Sequence, residues 1–202
     1  MAYAVARTYS GCTAPEEAAG IALKELAPKL SAGGGLTRYA TVAFSDGRVG
    51  SFSVYEGQDA AKRAQPIAAQ FVKGHSAFKN LKLDEAMEGE VIYTVQGSVP
   101  MTGRLHGISR IYTTSASDAE VKEAFESVGD TIRSFMGLAR YTVAKLTDGR
   151  VGIFCSFDTL ENARKSSAEA KSLRAKSGTL LARVLPSDPQ ILEGTVVGTH
   201  SS

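Results

Sequence analysis

Two short segments of the chain each carry an arginine and a tyrosine two residues apart. The segments are Arg7-Thr8-Tyr9-Ser10 and Arg110-Ile111-Tyr112-Thr113. Residues two apart on a β-strand point to the same side, so each guanidinium could share a ligand with the nearby phenol. A guanidinium is a fixed fork of donors and a phenol can donate or relay a proton, which suits an anionic or quinone-like ligand. The alternative is structural: an ion pair between sheets, or an arginine stacked on a tyrosine.

A histidine lies on the same predicted strand as the second of these pairs. His106 precedes Arg110 and Tyr112 at even spacing, where a general base or ligand-binding group could lie. Its counterpart in the first segment is Tyr3, so the two segments differ there. The sequence predicts His106, Arg110 and Tyr112 as the catalytic group. A histidine on a strand is also a common hydrogen-bonded structural residue, and that alternative stays open.

A second type of arginine–tyrosine pair has the two residues adjacent. It occurs as Arg38-Tyr39 and as Arg140-Tyr141. Adjacent residues on a strand point to opposite faces, so only one member of each pair can reach the interior, and the sequence does not decide which. The predicted ligand-binding group comprises Tyr3, Arg7, Tyr9, Arg38 and Arg140.

The sequence predicts neither a metal site nor a bound cofactor. No group of His, Cys, Asp and Glu has the spacing of metal ligands. Cys12 and Cys155 lie at non-equivalent places in the two halves of the chain, which argues against a repeated metal site or a disulfide framework. Both are expected to be thiols without a chemical role.

The pentapeptide Asp-Gly-Arg-Val-Gly occurs twice and shows that the chain is duplicated. The copies begin at Asp46 and Asp148, and 148 − 46 = 102 is close to half of the 202 residues. Each copy separates two strand-like runs, and Asp-Gly supplies the positive φ of a tight turn, so each is predicted to be a hairpin tip. The repeat predicts two units, residues 1–98 and residues 104–202.

The first half contains the elements of a βαββαβ unit. A strand over 2–9 precedes a helix that is expected to begin at a capping box, Thr13-Ala14-Pro15-Glu16, and to run to about Leu26, before Pro28. The hairpin follows, and then a helix over 58–73 that contains Pro66. The last strand is predicted at 90–95.

The second half repeats this order. A strand over 105–112 precedes a capping box at Ser117-Asp118-Ala119-Glu120 and a helix with a regular apolar stripe to Phe135. The hairpin covers 138–157, a helix covers about 160–176, and a closing strand lies near 193–196. A four-stranded sheet with two helices on one face needs a partner for its other face, and the second copy is the nearest.

These features predict an α+β protein of two ferredoxin-like βαββαβ units packed sheet to sheet as an intramolecular dimeric α+β barrel. The element order, the duplication and the strand-to-helix joins carry a resemblance to a known superfamily. The joins are Ser53-Val54-Tyr55-Glu56 and Cys155-Ser156-Phe157-Asp158. The chain resembles the dimeric α+β barrel superfamily, which includes the antibiotic biosynthesis monooxygenase family and its stress-responsive relatives.

The resemblance implies a small-molecule-binding barrel, with cofactor-independent monooxygenation of a phenolic or quinone-like compound as the leading hypothesis. The alternative is a non-catalytic stress-response or structural protein with a filled interior. Relatives that degrade haem use a tryptophan, and the chain has no Trp, which argues against that activity.

Composition excludes other classes of function. A net charge of +2 without a basic stripe argues against nucleic-acid binding. No run approaches the roughly 18 apolar residues of a membrane span, so a cytoplasmic protein is expected. Exposed strand edges or helices would allow a homodimer.

Overall fold

The chain folds into alternating strands and helices, which a computed structural model describes for residues 1–176 and 178–201. The strands are β1 Tyr3–Ser10, β2 Leu36–Phe44, β3 Val49–Tyr55, β4 Lys82–Gln96, β5 Leu105–Tyr112, β6 Leu138–Leu146, β7 Val151–Phe157 and β8 Gln190–Ser201. In hydrogen-bonding order they form a closed antiparallel barrel, β1-β3-β2-β8-β5-β7-β6-β4. This confirms the predicted α+β barrel.

Helices precede and follow each of the two hairpins in the chain. They are α1 Pro15–Ile21, α2 Ala27–Ala32, α3 Gln58–Gly74, α4 Asp118–Ser127, α5 Gly129–Arg133, α6 Leu160–Ala175 and α7 Leu180–Val184. A π-helical turn covers Ala22–Leu26 and a 3₁₀ turn covers Ser76–Phe78. No helix in the described residues is both long and apolar enough to cross a membrane.

The chain divides into two compact units. Unit 1 comprises Met1–Glu90, Thr102–Arg104 and the chain from Gly194 onward, and unit 2 comprises Val91–Met101 and Leu105–Glu193. The division therefore runs through β4 and β8. The boundaries at residues 98 and 104 stay a sequence-based prediction.

In unit 1 the central strands β1, β3 and β2 pair in register. Arg7 lies opposite Ser51, and Ser51 lies opposite Thr41 on the next strand. Val5, Tyr39 and Tyr55 lie two or four positions from these residues along the same strands and belong to the apolar core that packs against the helices. Residues i and i+2 of a strand share a face, so Arg7, Ser51 and Thr41 also face the helices.

The first helical region differs from the prediction at both ends. Helix α1 begins at Pro15, so its N-cap is Ala14 and no side chain caps it; Thr13 lies outside the helix and forms no capping box. The helix also continues past Pro28. The Ala27 N–H donates to the Ala22 carbonyl across a π-turn, and Pro28 lies directly after this irregular turn, in the first turn of α2.

Two other elements differ from the prediction. Strand β4 begins at Lys82, not near residue 90, because its first part pairs with β1 from Lys82 onward. Helix α7 is formed by a segment for which no helix was predicted, and the Thr179 hydroxyl accepts from the Ala182 N–H at its start. Pro66 lies inside α3, as predicted.

Unit 2 contains the capping box that the sequence predicted. The Glu120 N–H donates to Ser117 Oγ over 3.3 Å, and the Ser117 N–H donates to Glu120 Oε2 over 2.9 Å. The helical stripe that follows is interrupted, since α4 ends at Ser127 and α5 begins at Gly129. A Cβ at Gly129 would overlap the Tyr93 hydroxyl, so the glycine makes room for this side chain at the start of α5.

Both repeated pentapeptides are hairpin tips, as predicted. Gly47 and Gly149 have φ of 87° and 86°, a conformation that favours glycine. The Arg48 N–H donates to Asp46 Oδ1 over 3.2 Å, and the Arg150 N–H donates to Asp148 Oδ1 over 3.0 Å. The repeated residues therefore serve the turns themselves.

Candidate functional site

Arg110 is buried in unit 2, where its guanidinium donates hydrogen bonds to uncharged side chains. Its side chain is 1% exposed. Nη1 donates to Cys155 Sγ over 3.3 Å, while Nη2 donates to Ser166 Oγ over 2.9 Å and to Ser167 Oγ over 2.8 Å. Both serines lie on α6, so the guanidinium joins the sheet to the helix. No carboxylate pairs with it in the described part of the chain.

The groups around Arg110 are neutral at physiological pH. Burial raises the pKa of the Cys155 thiol, and the neighbouring guanidinium only partly offsets this. Burial also raises the pKa of Tyr141 well above its usual value. The sulfur accepts from Arg110 and its S–H donates to the Ile108 carbonyl over 3.4 Å. Cys155 is thus a protonated, hydrogen-bonded thiol with no access for a reagent.

This arrangement predicts a difference in thiol reactivity. In the native protein at pH 8, a disulfide reagent such as 5,5′-dithiobis(2-nitrobenzoate) should modify Cys12, which is half-buried, and leave Cys155 protonated and inaccessible. One thiol per chain should react, and a second should react after denaturation. A Cys12→Ser variant is the control, and rapid reaction of that native variant would show that Cys155 is accessible.

The other two predicted catalytic residues do not join Arg110 around a cavity. His106 lies half-buried at the start of β5, four residues and roughly 13 Å along the strand from Arg110. Tyr112 lines a cavity of about 20 Å³ that neither Arg110 nor His106 lines. The arginine beside Tyr112 is Arg174, whose guanidinium lies 5.6 Å from the ring centroid and also binds Asp188.

Arg7 of unit 1 occupies the position equivalent to Arg110 but has different surroundings. Its side chain is half-buried and makes no hydrogen bond or ion pair with the residues that the structure describes. It lines a cavity of about 40 Å³ between the sheet and the helices, together with Tyr9, Tyr39 and Ser51. The remaining lining is apolar and includes Leu26 of the π-turn.

The phenols in this cavity are protonated. Burial raises the pKa of Tyr9, and the nearby Arg7 charge only partly offsets this. Burial raises the pKa of Tyr39 further still. Both tyrosines can therefore donate a hydrogen bond at neutral pH, and Arg7 provides the positive charge. The cavity is suited to an anionic or strongly polar oxygen.

The remaining predicted ligand-binding residues lie away from this cavity. Tyr39 and Tyr141 are the members of the adjacent pairs that face the helices, so Arg38 and Arg140 face the opposite side of the sheet. Arg140 is half-buried and donates to Gln96 Oε1, and burial lowers its pKa. Tyr3 is buried and its hydroxyl accepts from Gln58 over 3.4 Å.

The sequence prediction omitted Ser51, which lies across the strand pair from Arg7 and lines the same cavity. A signal for it exists in the repeat, because the equivalent residue of the second hairpin is Ile153. Among the described residues, no cluster of three or more His, Cys, Asp or Glu could hold a metal ion.

Comparisons with known proteins define the class of fold. No family model and no curated protein matches the sequence. Among solved structures, a candidate monooxygenase from Lactobacillus acidophilus NCFM has 9% identity and a TM-score of 0.69, covering 100% of this chain and 97% of that one. An anthrone oxidase-like protein has 14% identity and a TM-score of 0.64, covering 99% and 93%. A mutant chlorite dismutase from Candidatus Nitrospira defluvii has 11% identity and a TM-score of 0.62, covering 96% and 90%.

At these identities the likeness shows the fold and not the activity. The chain shares the α+β barrel fold of these solved structures, in agreement with the fold that its sequence predicted.

Proposed function

We propose that this protein binds a small organic molecule in unit 1 and acts as a cofactor-independent monooxygenase on a phenolic or quinone-like compound. The observation that carries the proposal is Arg7, a guanidinium without a hydrogen bond or ion pair among the described residues, which lines a cavity with Tyr9 and Tyr39. A polar group at the edge of an apolar cavity is the usual arrangement of a small-molecule site.

Arg7 has a definite chemical role in this proposal. A phenol held against a guanidinium loses its proton more readily, since the positive charge favours the phenolate. The phenolate is electron-rich and can reduce dioxygen directly. Conversion of a phenol to a quinone by O₂ balances with one oxygen atom in the new carbonyl and the other in water, so that no additional reductant is needed. The names of the structural neighbours, a candidate monooxygenase and an anthrone oxidase-like protein, support this type of reaction.

Binding is tested by thermal unfolding with 1-naphthol, 2-hydroxy-1,4-naphthoquinone, benzoate, palmitate and haem. A ligand at 100 times its Kd stabilises the fold by about 2.7 kcal/mol, which corresponds to a Tm increase of about 5–10 °C for a chain of this size. We expect a phenolic or quinone compound to produce this increase and the Arg7→Gln variant to abolish it, because the glutamine lacks the charge.

The matched control for binding is Arg48→Gln, which removes an arginine whose side chain pairs with Asp46 at a hairpin tip, outside the cavity. It should retain the full shift. Oxygen consumption with the stabilising compound then tests the reaction. A shift that persists in Arg7→Gln would contradict the proposed site, and binding without oxygen uptake would contradict the monooxygenase activity.

Unit 2 favours the second candidate function, a structural role with a filled interior. Arg110 is engaged by Cys155, Ser166 and Ser167, and the cavity there measures only about 20 Å³. If no compound stabilises the protein, the same role extends to unit 1. Cytoplasmic location and homodimer formation stay predictions from the sequence.

A further inference from the structure

The two units differ systematically at the positions that face their helices. Four positions of the strand hairpin, each separated by 102 residues, carry a hydroxyl in unit 1 and none in unit 2. The pairs are Thr41 and Val143, Ser51 and Ile153, Ser53 and Cys155, and Tyr55 and Phe157. Each pair occupies matching positions in β2 and β6 or in β3 and β7. The sheet of unit 1 is therefore the more polar one on its helix-facing side.

The helices that cover the two sheets show the opposite difference, since the hydroxyls are in unit 2 and the equivalent positions of unit 1 have none. Ser166 and Ser167 of α6 bind Arg110, whereas the equivalent residues of α3 are Ala64 and Gln65. Ala64 is buried and has no polar atom in its side chain, and Gln65 donates to Glu88 over 3.1 Å. In unit 2 the helix provides two acceptors for the arginine, while its Nε has no partner among the described residues. In unit 1 these acceptors are absent from the helix, and Arg7 faces the cavity.

Two of the unit 1 hydroxyls are buried without a hydrogen-bond partner among the described residues. They are Thr41 Oγ1 and Ser53 Oγ. Buried hydroxyls with no partner are rare in folded proteins. Val143 and Cys155 show that the same positions of this fold accept residues without a hydroxyl. Neither of them lines the cavity, and Ser109 and Thr142 of unit 2 also have buried hydroxyls without a partner. Ser51 is the hydroxyl of this set that lines the cavity together with Arg7.

We infer that the chain has one ligand site, in unit 1, and that its ligand presents two or more neighbouring acceptor oxygens, as a hydroxyquinone does. The inference rests on the proposed function and specifies its substrate class. A guanidinium donates two parallel hydrogen bonds to a pair of oxygens more favourably than to one. Ser51, opposite Arg7 on the neighbouring strand, provides a further donor at the same end of the cavity.

The size of the cavity adds a requirement. About 40 Å³ is enough for the polar edge of a ligand, whereas a cavity that binds benzene measures about 150 Å³. An aromatic ligand must therefore displace part of the helical cover. Ala22 and Leu26, at the two ends of the π-turn, line the cavity. A π-turn is an irregular and less stable part of a helix, and it often occurs at functional sites.

Isothermal titration calorimetry with two probes that have the same ring skeleton tests the inference. 2-Hydroxy-1,4-naphthoquinone has three oxygens, two of them adjacent, and 1-naphthol has one. We expect the quinone to bind at least tenfold more tightly, with one ligand per chain. Ser51→Ala, which removes the hydroxyl without adding volume to the cavity, should weaken quinone binding at least tenfold and leave naphthol binding nearly unchanged.

The control is Ser167→Ala, which removes a partner of Arg110 and should leave both affinities unchanged. Ser51→Ile, which installs the unit 2 residue and also fills part of the cavity, is a second variant and should weaken the binding of both probes. Equal affinities for the two probes, or two quinones per chain, would overturn the inference while leaving the proposed binding function intact. Failure of both probes to bind would overturn the inference together with the proposed function.

Discussion

Replacing Arg110 with alanine should lower the free energy of unfolding by about 3 kcal/mol or more, a loss typical of a large buried side chain. Arg110 is the largest of the fully buried side chains, and its truncation leaves a cavity between the sheet and α6. It also removes the hydrogen-bond donors from Cys155, Ser166 and Ser167. Urea unfolding followed by circular dichroism measures the loss.

Arg7→Ala is the matched comparison for this result. The Arg7 side chain is half-buried and makes no hydrogen bond or ion pair with the described residues. Its truncation should therefore lower the free energy of unfolding by less than about 1 kcal/mol. Arg110→Met retains volume and removes the buried charge, and it should cost less than about 1.5 kcal/mol. Equal losses for the alanine variants of Arg7 and Arg110 would contradict the different roles assigned to the two arginines.

Replacing Gly97 with alanine should destabilise the protein by about 3 kcal/mol, at the upper end of the range for overpacking. The Gly97 N–H donates to the Ala139 carbonyl over 3.0 Å, and the Val99 N–H donates to the Leu138 carbonyl over 3.1 Å. The backbone is therefore fixed against β6, and a Cβ at Gly97 would overlap the Leu138 carbonyl group. Backbone atoms cannot move aside as a flexible side chain can.

The control for this prediction is Gly20→Ala in α1. A Cβ there meets no atom within 4 Å, and alanine is the better helix former by about 1 kcal/mol. This variant should be as stable as the original protein or more stable. Thermal unfolding of the two variants side by side measures the difference, and a Gly97→Ala protein with an unchanged Tm would show that β6 is not held at that distance.

Local features of the sequence determined much of the fold. The repeated Asp-Gly turns, the Ser117–Glu120 capping box and the alternation of residues along β1 and β5 depend on neighbouring residues, and the structure has them as predicted. The duplication made the order of elements in the second half follow from the first. Where a local signal was misread, the error was confined to that segment. Thr13 lies one residue too early to cap a helix that begins at Pro15.

The tertiary structure decided the elements and contacts that depend on distant parts of the chain. Strand β4 extends back to Lys82 because β1 provides a pairing partner some 70 residues away. Alternation placed Arg7 with Tyr9 and Arg110 with Tyr112 on common faces, but it cannot say what covers those faces. Over Arg110 the cover is provided by Ser166 and Ser167 of α6, which lie 56 and 57 positions along the chain from the arginine and bind it.

For the candidate site, the contacts between distant parts of the chain are decisive. The sequence presents Arg7 and Arg110 as equivalent residues, and it favoured the second because His106 lies on the same strand. Packing separates their roles: α6 brings hydroxyls to Arg110, and α3 brings Ala64 to the equivalent position over the unit 1 sheet. Whether a guanidinium on the sheet finds hydrogen-bond acceptors within the protein depends on the opposing layer, which sequence periodicity does not specify.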